Sequence, residues 1–165
     1  MKKGTLYISC GIPGSGKTTF LNKIKKENEI IVSLDDIRFS LLKEGEEYFS
    51  HEKEVFNNFT TTITEYINSG YNVYADATHL NKISRDKLLN ALTLKKCSPS
   101  SIEAIFFDIP LETCLERNEK RKGTKTYVPR GIIRRMFSSL EEPVEFSTYW
   151  SIDENENISK WITGG

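Results

Sequence analysis

Residues 11–18 read Gly-Ile-Pro-Gly-Ser-Gly-Lys-Thr, which meets the spacing G-x-x-x-x-G-K-[ST] of a phosphate-binding loop. Gly14, Ser15, Gly16, Lys17, Thr18 and Thr19 are its anion-facing candidates. Glycine lets successive backbone N–H groups curl around an anion where other residues resist the dihedrals. The Lys17 ammonium can reach the β- and γ-phosphates of a nucleotide, and the Thr18 hydroxyl can ligate Mg²⁺. The helix predicted to follow points its positive end at the same phosphates.

Three further segments carry groups that chemistry on a phosphate needs. Ser33-Leu-Asp-Asp-Ile-Arg38 offers two carboxylates and a guanidinium after an apolar run. Asp35 there can accept a proton from an attacking hydroxyl, and Arg38 can clamp a phosphate through two parallel N–H bonds. The same residues also read as a helix start, with Asp35 as its cap and Arg38 in a local ion pair, and both readings stand. Asp76-Ala-Thr-His-Leu-Asn81 places a carboxylate at another strand end, where phosphate-loop proteins put a metal-side acid. Thr78, His79 and Asn81 beside it suit hydrogen bonds to a substrate, while Asn81 or Ser84 can equally cap a helix. Finally Arg117, Lys120, Arg121, Lys122 and Lys125 crowd one segment around Gly123. Such a segment reads as a lid over nucleotide phosphates, against the plainer reading of a solvated basic loop. His51 has no comparable context.

The elements that must hold these groups alternate. Apolar, β-rich runs predict strands at 6–10, 30–33, 72–75 and 102–108, with a weaker fifth at 158–162. Helices are predicted at 17–27, 36–42, 47–68, 85–94, 111–121 and 130–140. The longest repeats Val55, Phe56, Phe59, Ile63, Tyr66 and Ile67 at helical spacing and stops at Ser69-Gly70. Strands separated by helices argue for an α/β fold, a mostly parallel sheet of four or five strands with helices on both faces. Ligands of such sheets sit at the carboxyl ends of the strands, where each cluster above falls.

Bulk properties set the frame. A chain of 165 residues fits one domain, 1–165, with a lid at about 117–128. Lys+Arg and Asp+Glu are both 23, so no global positive field marks a nucleic-acid binder. A local patch from Lys82, Arg85, Arg130, Arg134 and Arg135 would have to serve. Cys10, Cys97 and Cys114 show no paired spacing, which fits a reduced, cytoplasmic setting. No stretch has the length and apolarity of a membrane span, and Met-Lys-Lys-Gly leads straight into the first strand without room for a signal peptide.

These pieces in this order resemble the phage 5′-hydroxyl polynucleotide kinase family, within the small P-loop kinases that include zeta toxins and chloramphenicol phosphotransferases. The resemblance runs from Gly11 to about Leu140. It is most specific in the phosphate loop through Thr19, in Asp35-Asp-Ile-Arg38, and in Phe107-Asp-Ile-Pro110 through Arg117-Asn-Glu-Lys-Arg121 to Gly123-Thr-Lys125. It implies ATP, or another nucleoside triphosphate, as donor with Mg²⁺, and the 5′-hydroxyl end of DNA or RNA as acceptor. It implies Lys17 and Thr18 on the phosphates and metal, and Asp35 as general base. Arg38 would contact the acceptor's phosphate and Thr78 its backbone. Arg121 would be the lid arginine on the transferring group, and Arg117 would lie near the adenine. Asp76 is carried as a further acceptor-side group.

The chain departs from the family at three points. Some members have Asp before the Thr of this segment, where Ala77 stands here with Asp76 one place earlier. Asn is usual at the position of His79, and Lys122 reads as an insertion before the lid glycine. The best-known members also continue into a 3′-phosphatase or other repair modules. No D-x-D-x-T motif occurs here, so the expected activity is 5′ phosphorylation without 3′ dephosphorylation. Two other readings remain open: a kinase of a nucleoside, antibiotic or sugar on the same scaffold, and a non-enzymatic nucleotide switch.

Overall fold

A computed structural model describes residues 2–163. Its six-stranded sheet has the order β2-β3-β1-β4-β5-β6. The strands are β1 (Thr5–Cys10), β2 (Glu29–Ser33), β3 (Asn72–Asp76), β4 (Ser101–Phe107), β5 (Thr148–Ile152) and β6 (Ile158–Ile162). The first five are parallel and β6 returns antiparallel along β5. The helices are α1 (Lys17–Ile24), α2 (Leu34–Leu41), α3 (Glu52–Asn68), α4 (Lys82–Leu94), α5 (Leu111–Glu119) and α6 (Arg130–Ser139). None is long and apolar enough to cross a membrane.

Period-two alternation in β1 explains the layering. Leu6, Ile8 and Cys10 point to one face, where Phe59, Ile63 and Ile67 of α3 and Leu88 and Leu92 of α4 cover them. The opposite face carries Tyr74, Ile105, Phe107 and Ile152 under Phe20 and Leu21 of α1, Leu115 of α5 and Ile133 of α6. Each fully buried aliphatic side chain contributes roughly 1.5–3 kcal/mol, so these two layers fix the sheet against its helices. The sheet in turn fixes the strand ends. The register pairs Ser33 with Asp76 and Cys10 with Phe106, so the segments after β1, β2, β3 and β4 emerge along one edge.

Two expectations need correction. The sheet has six strands, because Thr148–Ile152 forms a parallel strand that its short sequence did not announce. The 158–162 strand is present as the antiparallel edge beside it. The long helix begins at Glu52 and not at residue 47, since residues 48–51 form a turn.

Candidate active site

The phosphate loop is built by close approach. Gly14 has φ 87° and Gly16 φ 84°, the left-handed region that favours glycine. A Cβ on Gly14 would stand 2.4 Å from the carbonyl oxygen of Cys114, so α5 props the loop from below. The Gly11 N–H donates to the Thr78 carbonyl at 2.9 Å, which ties the loop to the segment after β3. No acidic residue and no side-chain cap occupy the first turn of α1. Its free N–H groups and positive dipole end suit an anion. Ser15 Oγ, inside the loop, is buried and lacks a hydrogen-bond partner among the described residues. The Lys17 ammonium donates to the Gly11 and Ile12 carbonyls at 3.0 and 3.2 Å. Burial holds its pKa below the usual lysine range, while the carboxylates of Asp76 and then Asp35 oppose that shift.

Asp76 ends β3 as a buried carboxylate, and Thr18 Oγ1 donates to its Oδ2 at 2.7 Å. Burial raises its pKa, opposed by the Lys17 charge and the Thr18 bond. A hydroxyl and a carboxylate oxygen touching at the mouth of the phosphate loop are hard oxygen donors, the type that Mg²⁺ takes together with nucleotide phosphates. The residues present fit such an ion.

Asp35 lies in the first turn of α2. The cap of that helix is Ser33, whose Oγ accepts from the Asp36 N–H at 3.2 Å, so the reading of Asp35 as cap is set aside. The Asp35 side chain is 58% exposed. Its Oδ1 accepts from Arg38 Nη1 and from the Tyr48 hydroxyl, the latter at 2.8 Å. Arg38 itself is buried and engaged: Nε and Nη2 donate to the two Glu52 oxygens at 2.8 and 2.7 Å, and Nη1 also donates to Tyr48 Oη. Its guanidinium lies 4.4 Å from the Tyr48 ring centroid. The partners of Arg38 are thus Asp35, Tyr48 and Glu52, with neither Ala77 nor Asp76 among them. Tyr48 and Glu52 had drawn no notice in the sequence, because they reach Arg38 only through the turn between α2 and α3.

After β4, Arg117 meets the phosphate loop and Arg121 lines the same cavity. They line a cavity of about 340 Å³ with Ser15, Gly16, Thr19, the apolar Phe20, Phe107, Ile109 and Ile152, and the acidic Asp153, Glu154 and Glu156. Arg117 Nη1 lies 3.4 Å from the Gly14 carbonyl. The basic segment is closed at its base by Asn118, fully buried, which donates to the Val128 carbonyl at 2.6 Å and accepts from the Val128 N–H at 3.0 Å. Its far side reaches α2, where the Lys125 ammonium lies 4.7 Å from the Phe39 ring centroid.

Thr78 is half-buried beside the loop, and its hydroxyl makes no hydrogen bond among the described residues. His79 is buried with φ 39°, and its Nδ1–H donates to the Ser9 carbonyl at 2.8 Å. Asn81 caps α4 through a reciprocal capping box with Ser84, so the cap reading holds for that residue. Arg85 leaves the expected surface patch. It is fully buried, paired with Glu145 at 2.7 Å and bonded to the His79 carbonyl at 2.9 Å. Lys82, Arg130, Arg134 and Arg135 are exposed.

Comparison with known proteins agrees with this construction. A family model described as AAA domain matches residues 6–143. No curated protein matches the chain by sequence. Among solved structures, a chain of the Pnkp1/Rnl/Hen1 RNA repair complex is similar at TM-score 0.72 and 24% identity, over 85% of this chain and 45% of that one. A second Pnkp1/Rnl/Hen1 complex structure is covered over 40% of its chain, so this chain spans less than half the length of either. The Mycobacterium tuberculosis APS kinase CysC, in complex with AMPPNP and APS, is similar at TM-score 0.62 and 17% identity, over 95% of this chain and 92% of that one. A gluconokinase from Sinorhizobium meliloti is similar at TM-score 0.60 and 18% identity, over 93% and 84%. The fold is the α/β fold of P-loop kinases, and the chain belongs to the AAA domain family.

Proposed function

We propose that this chain is an ATP-dependent kinase that transfers the γ-phosphoryl group to the 5′-hydroxyl end of DNA or RNA, working as one domain with a lid over about 117–128. The observation that carries the transferase reading is the shared rim: Asp76 Oδ2 accepts from Thr18 at the mouth of the phosphate loop, and the Ser33–Asp76 register brings Asp35, two residues past Ser33, to the same sheet edge. A kinase of an alcohol needs a proton acceptor for its attacking hydroxyl, and a nucleotide switch needs no base for an alcohol.

The roles follow from position. The amides of Gly14 to Thr19 and the Lys17 ammonium hold the phosphates. Thr18 and Asp76 would hold Mg²⁺, which when bound neutralises charge on the phosphate oxygens. The geometry supports this metal-side role for Asp76 over an acceptor contact, since its Oδ2 already accepts from Thr18. Asp35 accepts the proton of the attacking hydroxyl. Arg121 stabilises charge on the transferring group, and Arg117 lies against the nucleoside cavity. Thr78 offers its hydroxyl to the acceptor's backbone. Arg38 acts first on Asp35, with at most its remaining N–H available to an acceptor phosphate.

The nucleic-acid half of the proposal rests on the motif resemblance and on the RNA repair neighbour. A small-molecule acceptor is the second reading. It is favoured by the engagement of Arg38 with Glu52, which leaves little of the guanidinium for a strand phosphate. The test is transfer of labelled γ-phosphate from ATP to a 5′-hydroxyl oligonucleotide, beside a nucleoside 3′-monophosphate, a free nucleoside and gluconate. Labelling of the oligonucleotide at the highest kcat/KM supports the proposal. Labelling of gluconate or the free nucleoside alone replaces it with the second reading.

A further inference from the structure

We propose that Tyr48 is a positioning residue for phosphoryl transfer, its hydroxyl fixing the Asp35 carboxylate through Oδ1 so that Oδ2 takes the acceptor's proton. This deepens the proposed function and rests on Asp35 being its base.

An exposed carboxylate in the first turn of a helix is free to change rotamer, and a general base must be held in place. Here two donors converge on one oxygen. Oδ1 accepts from both Tyr48 and Arg38, while Oδ2 has no hydrogen bond among the described residues. Tyr48 is itself held independently of Asp35. Its ring lies under the Arg38 guanidinium and makes edge contacts with Phe49 at 4.6 Å and Phe39 at 6.0 Å between centroids. Arg38 is anchored in turn on both oxygens of Glu52. The order of support therefore runs from α3 through Arg38 and Tyr48 to Asp35. Burial, and next the Asp35 charge, push the Tyr48 hydroxyl well above the ordinary phenol range, so it stays a donor at neutral pH. The stretch between α2 and α3 (residues 42–51) is long for a helix connection, which fits a segment kept for its side chains.

Tyr48→Phe removes only the hydroxyl and keeps the ring under Arg38. With the oligonucleotide acceptor, it should lower kcat roughly 10- to 10²-fold and leave the KM for ATP and acceptor unchanged, as expected when a reacting group is misplaced. In an Asp35→Asn background, measured in single-turnover reactions, Tyr48→Phe should add no further loss. A kcat within twofold of wild type, or a loss that multiplies with Asp35→Asn, overturns the proposal. If the wild-type protein labels no oligonucleotide, the acceptor reading fails separately. Tyr48 is then judged on ATP hydrolysis, with water as acceptor. The same deficit and the same non-additivity there support its role, and an unchanged rate overturns it.

Discussion

Thr18 Oγ1 donates to Asp76 Oδ2 at 2.7 Å, tying the first turn of α1 to the end of β3. The bond joins a residue of the phosphate loop to one that lies 58 positions later, and the Ser33–Asp76 register then brings α2 to the same place. If this pair holds the metal, its loss should appear as a metal defect. Thr18→Ala and Asp76→Ala should each raise the Mg²⁺ concentration for half-maximal turnover at least ~10-fold and lower kcat ~10²-fold at saturating metal. Titration of turnover against MgCl₂ checks this, and an unshifted Mg²⁺ dependence in both variants removes the assignment.

Arg38 is an internal strut before it is anything else. Removing it leaves Asp35, Tyr48 and Glu52 without their shared donor. Arg38→Ala should cost about 1–3 kcal/mol of stability, below the figure for a fully buried pair because Glu52 is 37% exposed. Arg38→Lys should recover little, since an ammonium cannot bond both Glu52 oxygens in the plane and reach Asp35 as well. Denaturant unfolding of the two variants measures the first effect. An Arg38→Ala protein of wild-type stability, defective only in acceptor KM, would restore the phosphate-clamp role expected from the motif.

Asn118 closes the base of the basic segment with two bonds to Val128. Asn118→Ala leaves the Val128 N–H and carbonyl without that partner, at a cost of about 1–3 kcal/mol. If Arg121 works from this segment, the variant should lower kcat about 10-fold with a smaller change in the KM for ATP. Steady-state kinetics decides. An unchanged kcat would show that the segment's base does not position the arginine.

His79 supplies a pH dependence. Burial is the main cause that lowers its pKa to about 4, assisted by the Lys17 and Arg85 charges and opposed by its bond to the Ser9 carbonyl. In the unfolded chain it titrates near ~6.5, so between about 4 and 6.5 the unfolded state binds the extra proton. His79's contribution is therefore whole above that window and is lost as pH falls through it, up to about 3 kcal/mol. Thermal midpoints measured from pH 4 to 7 should fall toward the acid end. His79→Asn should flatten that slope, and asparagine also tolerates the residue's positive φ. An equally steep slope in His79→Asn would contradict the assignment.

What the sequence made legible follows from the range of each interaction. The phosphate loop, the strand–helix alternation and the Asn81 cap are local, so residue spacing announces them. The sheet's sixth strand was missed because Thr148–Ile152 is short and takes its meaning from pairing with β4, more than forty residues earlier. Arg85 read as a surface cation because its partner, Glu145, lies 60 positions away. Tyr48 went unnoticed for a related reason. It sits in what the apolar spacing extended as helix, and only the turn at residues 48–51 swings its hydroxyl back to Asp35. Asp35 itself was ambiguous between cap and base until Ser33 was seen to take the cap.

The most direct measurement compares Asp35→Ala with the wild-type protein in single-turnover transfer from ATP to a 5′-hydroxyl oligonucleotide, with ATP affinity measured on the same samples. The account predicts a rate at least ~10²-fold lower and an ATP dissociation constant within about twofold of wild type. A normal transfer rate in Asp35→Ala would contradict it.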